Sequence, residues 1–341
     1  MTGTTRRRGP PTPTSFQGST LALRRKARVR PKRESSGILC LCITLAVICL
    51  FVTPIVLLEA GLQAQRRQRG ATAPLPLEAE EHISYNEGDQ TKYHVVFSTD
   101  CTEYQNFQSY ILFYHAEKIG QPGTITRIVS GCTAKQEMML EDFHLYHVAT
   151  ISRRFKIHFT PNYMRIDGDV FPYYNKPFGV KHWMEHSLGF PQEDDDDAVI
   201  ILIDPDMIPL RPLTRSFANG TDRWLTDQDI VWTLKRGLPV AQRYLLSPRW
   251  RNWNLTKLLG SSSAALNVTR EEAMLHYVMG PPYIATSADM WQIVSRWTQL
   301  CSPVKEVYPD MLAEMYAYIL AVADLGLPHQ ISTSMMWSDP R

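Results

Sequence analysis

Residues 199–213 read VIILIDPDMIPLRPL. Val199 to Ile203 is an unbroken apolar run that ends on Asp204-Pro205-Asp206. A strand without polar alternation is buried on both faces, as in a parallel sheet covered by helices. In such sheets ligands sit beyond the carboxyl ends of the strands, which is where Asp204 and Asp206 fall. Alternation along an extended backbone points both side chains to the same side, and Pro205 stiffens the link. Two hard oxygen ligands on one short segment suit Mg²⁺ or Mn²⁺, which take one or two carboxylates and complete their shell with substrate phosphates. Asp-Pro-Asp is also ordinary turn chemistry, so the pair alone does not decide between a turn and a cation site.

The pattern on either side has the grammar of a wound α/β sheet. Residues 93–100, YHVVFSTD, form a β-rich run ending on Ser98, Thr99 and Asp100. Residues 105–119 carry apolar groups at helical spacing, with Phe107, Tyr110, Ile111 and Tyr114 on one side. Ile125 to Val129 is a second β-rich run, and Asn175 to Leu188 a helix entered through Pro177. The stretch from Pro309 to Ala323, PDMLAEMYAYILAVA, is helical, and Asp310 and Glu314 are expected to share a face. Gly280-Pro281-Pro282-Tyr283 reads as a rigid loop that shapes an acceptor groove, the plainer reading being a connecting turn. Trp291 and Trp297 flank an amphipathic run and are expected in the core. The acidic run 193–197 reads as a solvated loop.

Of 341 residues 44% are hydrophobic, enough for one large domain or two small ones. The net charge of +2 hides an asymmetry: residues 1–36 hold ten Lys or Arg and one acid, and the remainder has 26 bases against 33 acids. A nucleic-acid role would want the basic face on the folded part. The tail has another explanation. Ile38 to Leu58 is 21 residues without a charge, which as a helix spans roughly 31 Å, the thickness of a bilayer core. The basic residues before it place the N-terminus in the cytosol. A cleaved signal or a transit peptide would have a shorter apolar run. The expected organisation is therefore a basic cytoplasmic tail (1–36), a transmembrane signal anchor (37–59), a stem (60–90) and a lumenal domain (91–341). Sequons at Asn219, Asn254 and Asn267 agree with a lumenal position. Cys101, Cys132 and Cys301 would allow one disulfide and one free thiol, the pairing left open.

Five blocks in order across residues 93–329 carry a resemblance: YHVVFSTDCTEYQNFQSYILFYH, GTITRIVSG, NKPFGVKHWMEHS, IILIDPDMIPLRPL and PDMLAEMYAYILAVADLGLPH. Together they resemble the plant and algal family of hydroxyproline O-arabinosyltransferases and peptidyl serine α-galactosyltransferases. The resemblance implies a single-pass type II membrane protein of the Golgi or ER with a GT-A-like α/β domain. It implies a metal-dependent, retaining transfer of arabinose or galactose from a UDP-sugar to a hydroxyl of hydroxyproline or serine in extensin-like acceptor proteins. It also implies a further segment after the 309–323 helix, where a metal-coordinating histidine is expected; this chain stops at Arg341.

The residue roles follow from this reading. Asp206 is the expected direct metal ligand, and Asp204 binds through water or holds the ribose. Ser98, Thr99 and Asp100 meet uracil and ribose. Arg127, Lys176 and Lys181 are candidates for the diphosphate, each with a plain structural alternative. Glu314, ahead of Asp310, is the carboxylate placed to stabilise an oxocarbenium-like transition state. Two rival readings stand beside this one. A lumenal binding protein without activity could keep the fold. His182-Trp-Met-Glu185-His186 also spells the H-x-x-E-H zinc-protease motif, with Glu271 or Glu272 as the convenient third ligand.

Overall fold

Tyr93–Thr99 forms strand β1, and its alternating residues divide between two cores: Val96 joins one, Val95 and Phe97 the other. The computed structural model describes residues 91–166, 168–192, 198–216, 233–333 and 335, all within the unit His82–Arg341. The expected tail, span and stem (1–90), the acidic run 193–197 and Asn219 lie outside the described residues. Among the described residues no helix is long and apolar enough to cross a membrane.

After β1 come helix α1 (Glu103–Lys118), β2 (Thr124–Ser130) and α2 (Ala134–Phe143), which runs into a π-helical turn, His144–Val148. Both helices start on threonine. The Thr102 side chain accepts from the Gln105 amide, and Thr133 and Gln136 form a reciprocal capping box, which satisfies otherwise orphaned donors. Strand β3 (Phe155–Thr160), the small hairpin β4–β5 (Arg165–Ile166, Asp169–Val170), α3 (Asn175–Ser187) and β6 (Val199–Ile203) follow. The C-terminal part adds β7 (Val240–Arg243), the short helices α4 (Leu255–Leu259) and α5 (Arg270–His276), β8 (Met279–Thr286), α6 (Ser287–Val307), α7 (Ala313–Asp324) and β9 (Gln330–Ser332).

Seven strands form one sheet in the order β3-β2-β1-β6-β8-β7-β9. The sheet is mixed. β6 pairs parallel with β1 as its apolar run leads one to expect, but its other neighbour, β8, is antiparallel. All five residues of β6 are buried, because helices cover both faces whatever the strand direction. The face with Val96, Ile200 and Leu202 packs against α3, α6 and α7; Val95, Phe97, Val199, Ile201 and Ile203 meet α1 and the turn after α2. In α7 every residue from Ala313 to Ala323 is buried. Burying a side chain such as Ile319 or Leu320 contributes about 1.5–3 kcal/mol.

Three expectations are corrected. The aromatic side of α1 faces solvent: Phe107 is 62% exposed and Tyr114 51%. The buried strip is Ser109, Leu112, Phe113 and Ala116. Its small residues let the helix lie close to the sheet, and Phe113 meets Phe97 and Phe155 at 5.5 and 4.7 Å. Gly280-Pro281-Pro282-Tyr283 is not a loop but part of β8. The strand tolerates two prolines because the ladder to β7 is irregular there: Ala241 pairs with Tyr283 and Gln242 with Gly280, leaving both prolines unpaired in a bulge. Finally, α7 begins only at Ala313, so Asp310 lies outside it in the preceding turn and does not share a helical face with Glu314.

Trp297 is fully buried and Trp291 packs against the same core, as their spacing leads one to expect. Cys101 and Cys132 form a disulfide and Cys301 is a buried thiol. The bridge ties the loop after β1 to the loop after β2.

Candidate functional site

The strand order reverses between β1 and β6: β2 and β3 lie to one side of β1, while β6 lies to the other. Such a switch point opens a crevice at the carboxyl ends of the strands. Ser98 to Asp100 close β1 there and Asp204 follows β6. Two helices start at the same edge. Lys176 is the second residue of α3, and Glu314 is the second residue of α7.

The three side chains converge. Lys176 Nζ lies 2.8 Å from Asp204 Oδ1 and 3.5 Å from Glu314 Oε1. Both oxygens are buried and neither accepts a hydrogen bond of good angle, so the contacts are charge pairs and not directed bonds. Burial alone would discharge Lys176, but Asp204 and Glu314 outweigh it and hold the ammonium charged, above the ordinary lysine range. For Glu314 burial wins. It lifts the carboxyl to about 7, with Lys176 pulling down and Asp204 pushing up. The cation is nearer to Asp204, so Glu314 is the less compensated of the two acids.

Two tyrosines complete the surroundings: Tyr283, which the sequence reading had placed in a groove-shaping loop, and Tyr244, which it had not marked. Tyr283 stacks on Tyr318 at 3.8 Å, and its buried hydroxyl has no hydrogen-bond partner. Burial, then the charge of Glu314, pushes it well above the ordinary phenol value. Tyr244 is raised by burial and then by Asp204 and Asp206, which places it beside the Asp-Pro-Asp turn. Gly280 is required there: a Cβ on it would lie 2.4 Å from the Tyr244 ring and 2.8 Å from Met315. The GPPY block was the only sequence signal for this wall; Tyr244 carried none.

The remaining expected residues divide. Asp206 is exposed just beyond Asp204. Ser98 is half-buried at the same edge. Thr99 and Arg127 are engaged with each other. Arg127 Nε donates to Thr99 Oγ1 at 2.8 Å, and Nη2 donates to the Asp100 carbonyl and to Asn106 Oδ1. Burial lowers this guanidinium to about 10, against the attraction of Asp100. The structure therefore makes Arg127 a clamp on the loop after β1. The Asp100 carboxylate accepts from the Thr102 amide and hydroxyl. Lys181 is not brought to the group: it pairs with Glu185 at 3.6 Å and lies over the Trp291 ring. Asp310 is exposed, its carboxylate capping the Leu312 amide. Asn254 and Asn267 are exposed, Asn254 also capping α4 through Lys257.

Asp204 and Asp206 offer hard oxygens suited to Mg²⁺ or Mn²⁺. Among the described residues no group of three or more His, Cys, Asp or Glu is placed to hold a metal. An ion here would take these carboxylates and draw its other ligands from a phosphate-bearing molecule. Asp204 Oδ1 and Glu314 Oε1 face Lys176, and the Tyr283 hydroxyl beside them is a buried polar atom without a hydrogen-bond partner. Glu272, one of the third ligands considered for the H-x-x-E-H reading, is instead in a capping box with Thr269.

No protein-family model matches the chain. Over 253 residues it is 28% identical to a peptidyl serine alpha-galactosyltransferase of Arabidopsis thaliana, covering 71% of this chain and 27% of that protein. Over 173 residues it is 30% identical to a protein of the same name from Chlamydomonas reinhardtii, covering 49% of this chain and 19% of the relative. These curated homologues match the family that the five blocks resemble, and the chain spans about a quarter or less of their length. Among solved structures it is similar to the WbbM bifunctional glycosyltransferase (10% identity, TM-score 0.39, covering 73% of this chain and 40% of that one). It is also similar to the galactosyltransferase LgtC bound to donor and acceptor sugar analogs (14% identity, TM-score 0.38, 69% and 72%). Likenesses of that size carry neither fold nor function.

Proposed function

We propose that the chain is a GT-A-like glycosyltransferase that moves a sugar, arabinose or galactose, from a UDP-sugar to a hydroxyproline or serine hydroxyl of proteins in the secretory pathway. The observation that carries this is the convergence of Asp204, Lys176 and Glu314 at the switch point of the sheet. The names of the two curated homologues support the reaction class and a peptide acceptor.

In this reading the diphosphate enters beside Asp204 and Asp206, with Lys176 as the resident cation on the other side. Asp206, the exposed carboxylate, would hold Mn²⁺ or Mg²⁺ directly, and Asp204, paired with Lys176, would support the ion directly or through water. Such an ion, when bound, neutralises charge on the departing UDP. Ser98 faces the nucleoside. Glu314 stands over the sugar. A carboxylate near the anomeric carbon stabilises the positive charge that develops as the glycosidic bond breaks, in the manner known from glycoside hydrolysis. In its ionised form this carboxylate acts through a low local dielectric, and because burial lifts the carboxyl to about 7 the ionised form is lost as the pH falls below neutral. Retention of configuration is part of the proposal because the resemblance of the five blocks implies it. A type II Golgi or ER membrane setting, resting on residues 1–58, belongs to the same proposal.

The test is UDP release by the purified full chain with Mn²⁺, a panel of UDP-sugars, and peptides bearing hydroxyproline or serine. Turnover with one donor, abolished by chelator and by Asp206→Asn, is the expected result. Metal-dependent UDP binding without turnover would make the chain a binding protein with this fold. Neither binding nor turnover would return Asp-Pro-Asp to a turn.

A further inference from the structure

Tyr283 of β8 and Tyr318 of α7 lie ring on ring, with centroids 3.8 Å apart and planes 21° from parallel. Both are fully buried, yet their hydroxyls differ. The Tyr318 hydroxyl lies 2.9 Å from His329 Nε2. The Tyr283 hydroxyl has no hydrogen-bond partner among the described residues. A buried donor without a partner destabilises a fold, and phenylalanine at position 283 would remove that loss at the same shape. The position of the ring says what the hydroxyl is for. Tyr283 lies directly opposite Leu202 of β6, two residues before Asp204, and cross-strand partners share a face of the sheet. Tyr318 follows Glu314 by four residues in α7, one turn along the same helix face. The Tyr283 ring is therefore held between the strand that leads to Asp204 and the helix face that carries Glu314. Glu314 is anchored through its backbone, where Trp297 Nε1 donates to its carbonyl at 2.9 Å. Its side chain is held less firmly: Lys176 lies 3.5 Å from Oε1 and only 2.8 Å from Asp204.

We propose that Tyr283 is the positioning residue of Glu314: when a diphosphate draws Lys176 away, the Tyr283 hydroxyl donates to the Glu314 carboxylate and fixes its direction. This rests on the transferase reading of the site given above. The groups around the Glu314 carboxyl are Lys176 of α3, Asp204 after β6, Tyr244 after β7, Tyr283 of β8 and Cys301 of α6. Lys176 is the one cation of this set, and Tyr283 brings a buried hydroxyl that no other group uses. A lysine ammonium on its flexible stem follows a new anion. A tyrosine stacked on Tyr318 and met edge-on by Trp297 stays where it is. The carboxylate thus exchanges a mobile partner for a fixed one. A hydrogen bond to the ionised form of a carboxyl favours that form, which is the form that stabilises positive charge on a sugar. Tyr283 does not touch the sugar; it acts through Glu314.

The experiment compares purified full-length wild type, Tyr283→Phe and Tyr318→Phe, each measured for its urea midpoint and for turnover against pH with the donor and peptide that wild type uses. Tyr283→Phe should keep or raise the urea midpoint. Its kcat should fall about 10–100-fold, as for loss of one hydrogen bond to a charged group, with KM for the donor within about twofold. The acid limb of its kcat profile should move up by about one pH unit, because the ionised carboxylate has lost a donor. Tyr318→Phe should lower the urea midpoint, since its hydroxyl has a partner, and leave the acid limb in place. The proposal is overturned if Tyr283→Phe keeps the kcat and acid limb of wild type, if its urea midpoint falls as that of Tyr318→Phe does, or if Tyr318→Phe moves the acid limb as far. In those cases wild type still turns over and the transferase reading stands. Absence of turnover in wild type would sink that reading and this proposal together.

Discussion

The ammonium of Lys176 stands between two carboxylates, 2.8 Å from Asp204 and 3.5 Å from Glu314, and the three side chains come from a strand end and two helix starts. One cation thus holds together the carboxyl edge of β6 and the N-termini of α3 and α7. Removing it leaves two largely buried acids without a partner. Breaking a buried pair costs about 3–5 kcal/mol. Lys176→Met should lose stability of that order in urea unfolding at pH 8. A change below about 1 kcal/mol would mean that solvent screens the pair far more than its burial indicates.

Glu314 and Asp310 separate the proposed chemistry from the background. Glu314→Gln should fold normally and bind donor, with turnover reduced by about 10²–10³, as for loss of one preorganised electrostatic group. Asp310→Asn should stay within about 0.5 kcal/mol in stability and near wild type in turnover, as expected of an exposed turn residue. Equal rates for wild type and Glu314→Gln would remove Glu314 from the mechanism.

Asp206 is exposed, so its substitution tests binding without testing the fold. Asp206→Asn should leave the thermal midpoint in place while abolishing any Mn²⁺-dependent gain in UDP affinity. If UDP binds equally tightly with and without Mn²⁺ in wild type, the carboxylates hold no ion in that complex.

The Cys101–Cys132 bridge closes a loop of 31 residues between the two carboxyl-edge loops. Chain-entropy arguments give about 2–4 kcal/mol for such a loop. Cys101→Ser with Cys132→Ser should lower the denaturant midpoint accordingly. Nucleotide affinity should also fall, because Ser98 and Asp100 sit on one of the tethered segments. Unchanged stability and affinity would show that the bridge is dispensable to both loops.

Acid should destabilise the domain through its buried histidines. His329 accepts from Tyr318 at Nε2 and donates from Nδ1 to the Leu327 carbonyl. Burial lowers it to about 3, and burial with the neighbouring His182 and His186 lowers His158 to about 4. Unfolded, both titrate near 6.5. Between these values the unfolded chain binds protons that the folded chain does not. Their contribution is therefore complete above about pH 6.5 and is lost progressively below it. Chemical unfolding at pH 7 and pH 5 measures this, and His329→Gln should flatten the slope. An equal slope in wild type and variant would mean that His329 is not held neutral.

How much of this was legible in the sequence differs from element to element. The apolar run of β6 and the Asp-Pro-Asp after it marked both a buried strand and its functional end, because burial on two faces and turn chemistry are local properties. Glu314 and Lys176 could be nominated, but not their meeting: 138 positions separate them, and only the stacking of α3 and α7 on one face of the sheet joins them. Periodicity misjudged α1. The helix has apolar groups on more than one side, and which side is buried depends on Phe97 and Phe155 elsewhere in the chain. The clamp of Arg127 on Thr99 and Asn106 likewise exists only because β1 and β2 pair in register. By itself the sequence determined the α/β alternation, the apolar span in residues 38–58 and the carboxylates at a strand end, since each follows from the chemistry of neighbouring residues. Only the tertiary structure decided the antiparallel β8, the pairing of Cys101 with Cys132, and the shared cation of Asp204 and Glu314, because each depends on which distant surfaces pack together to leave water.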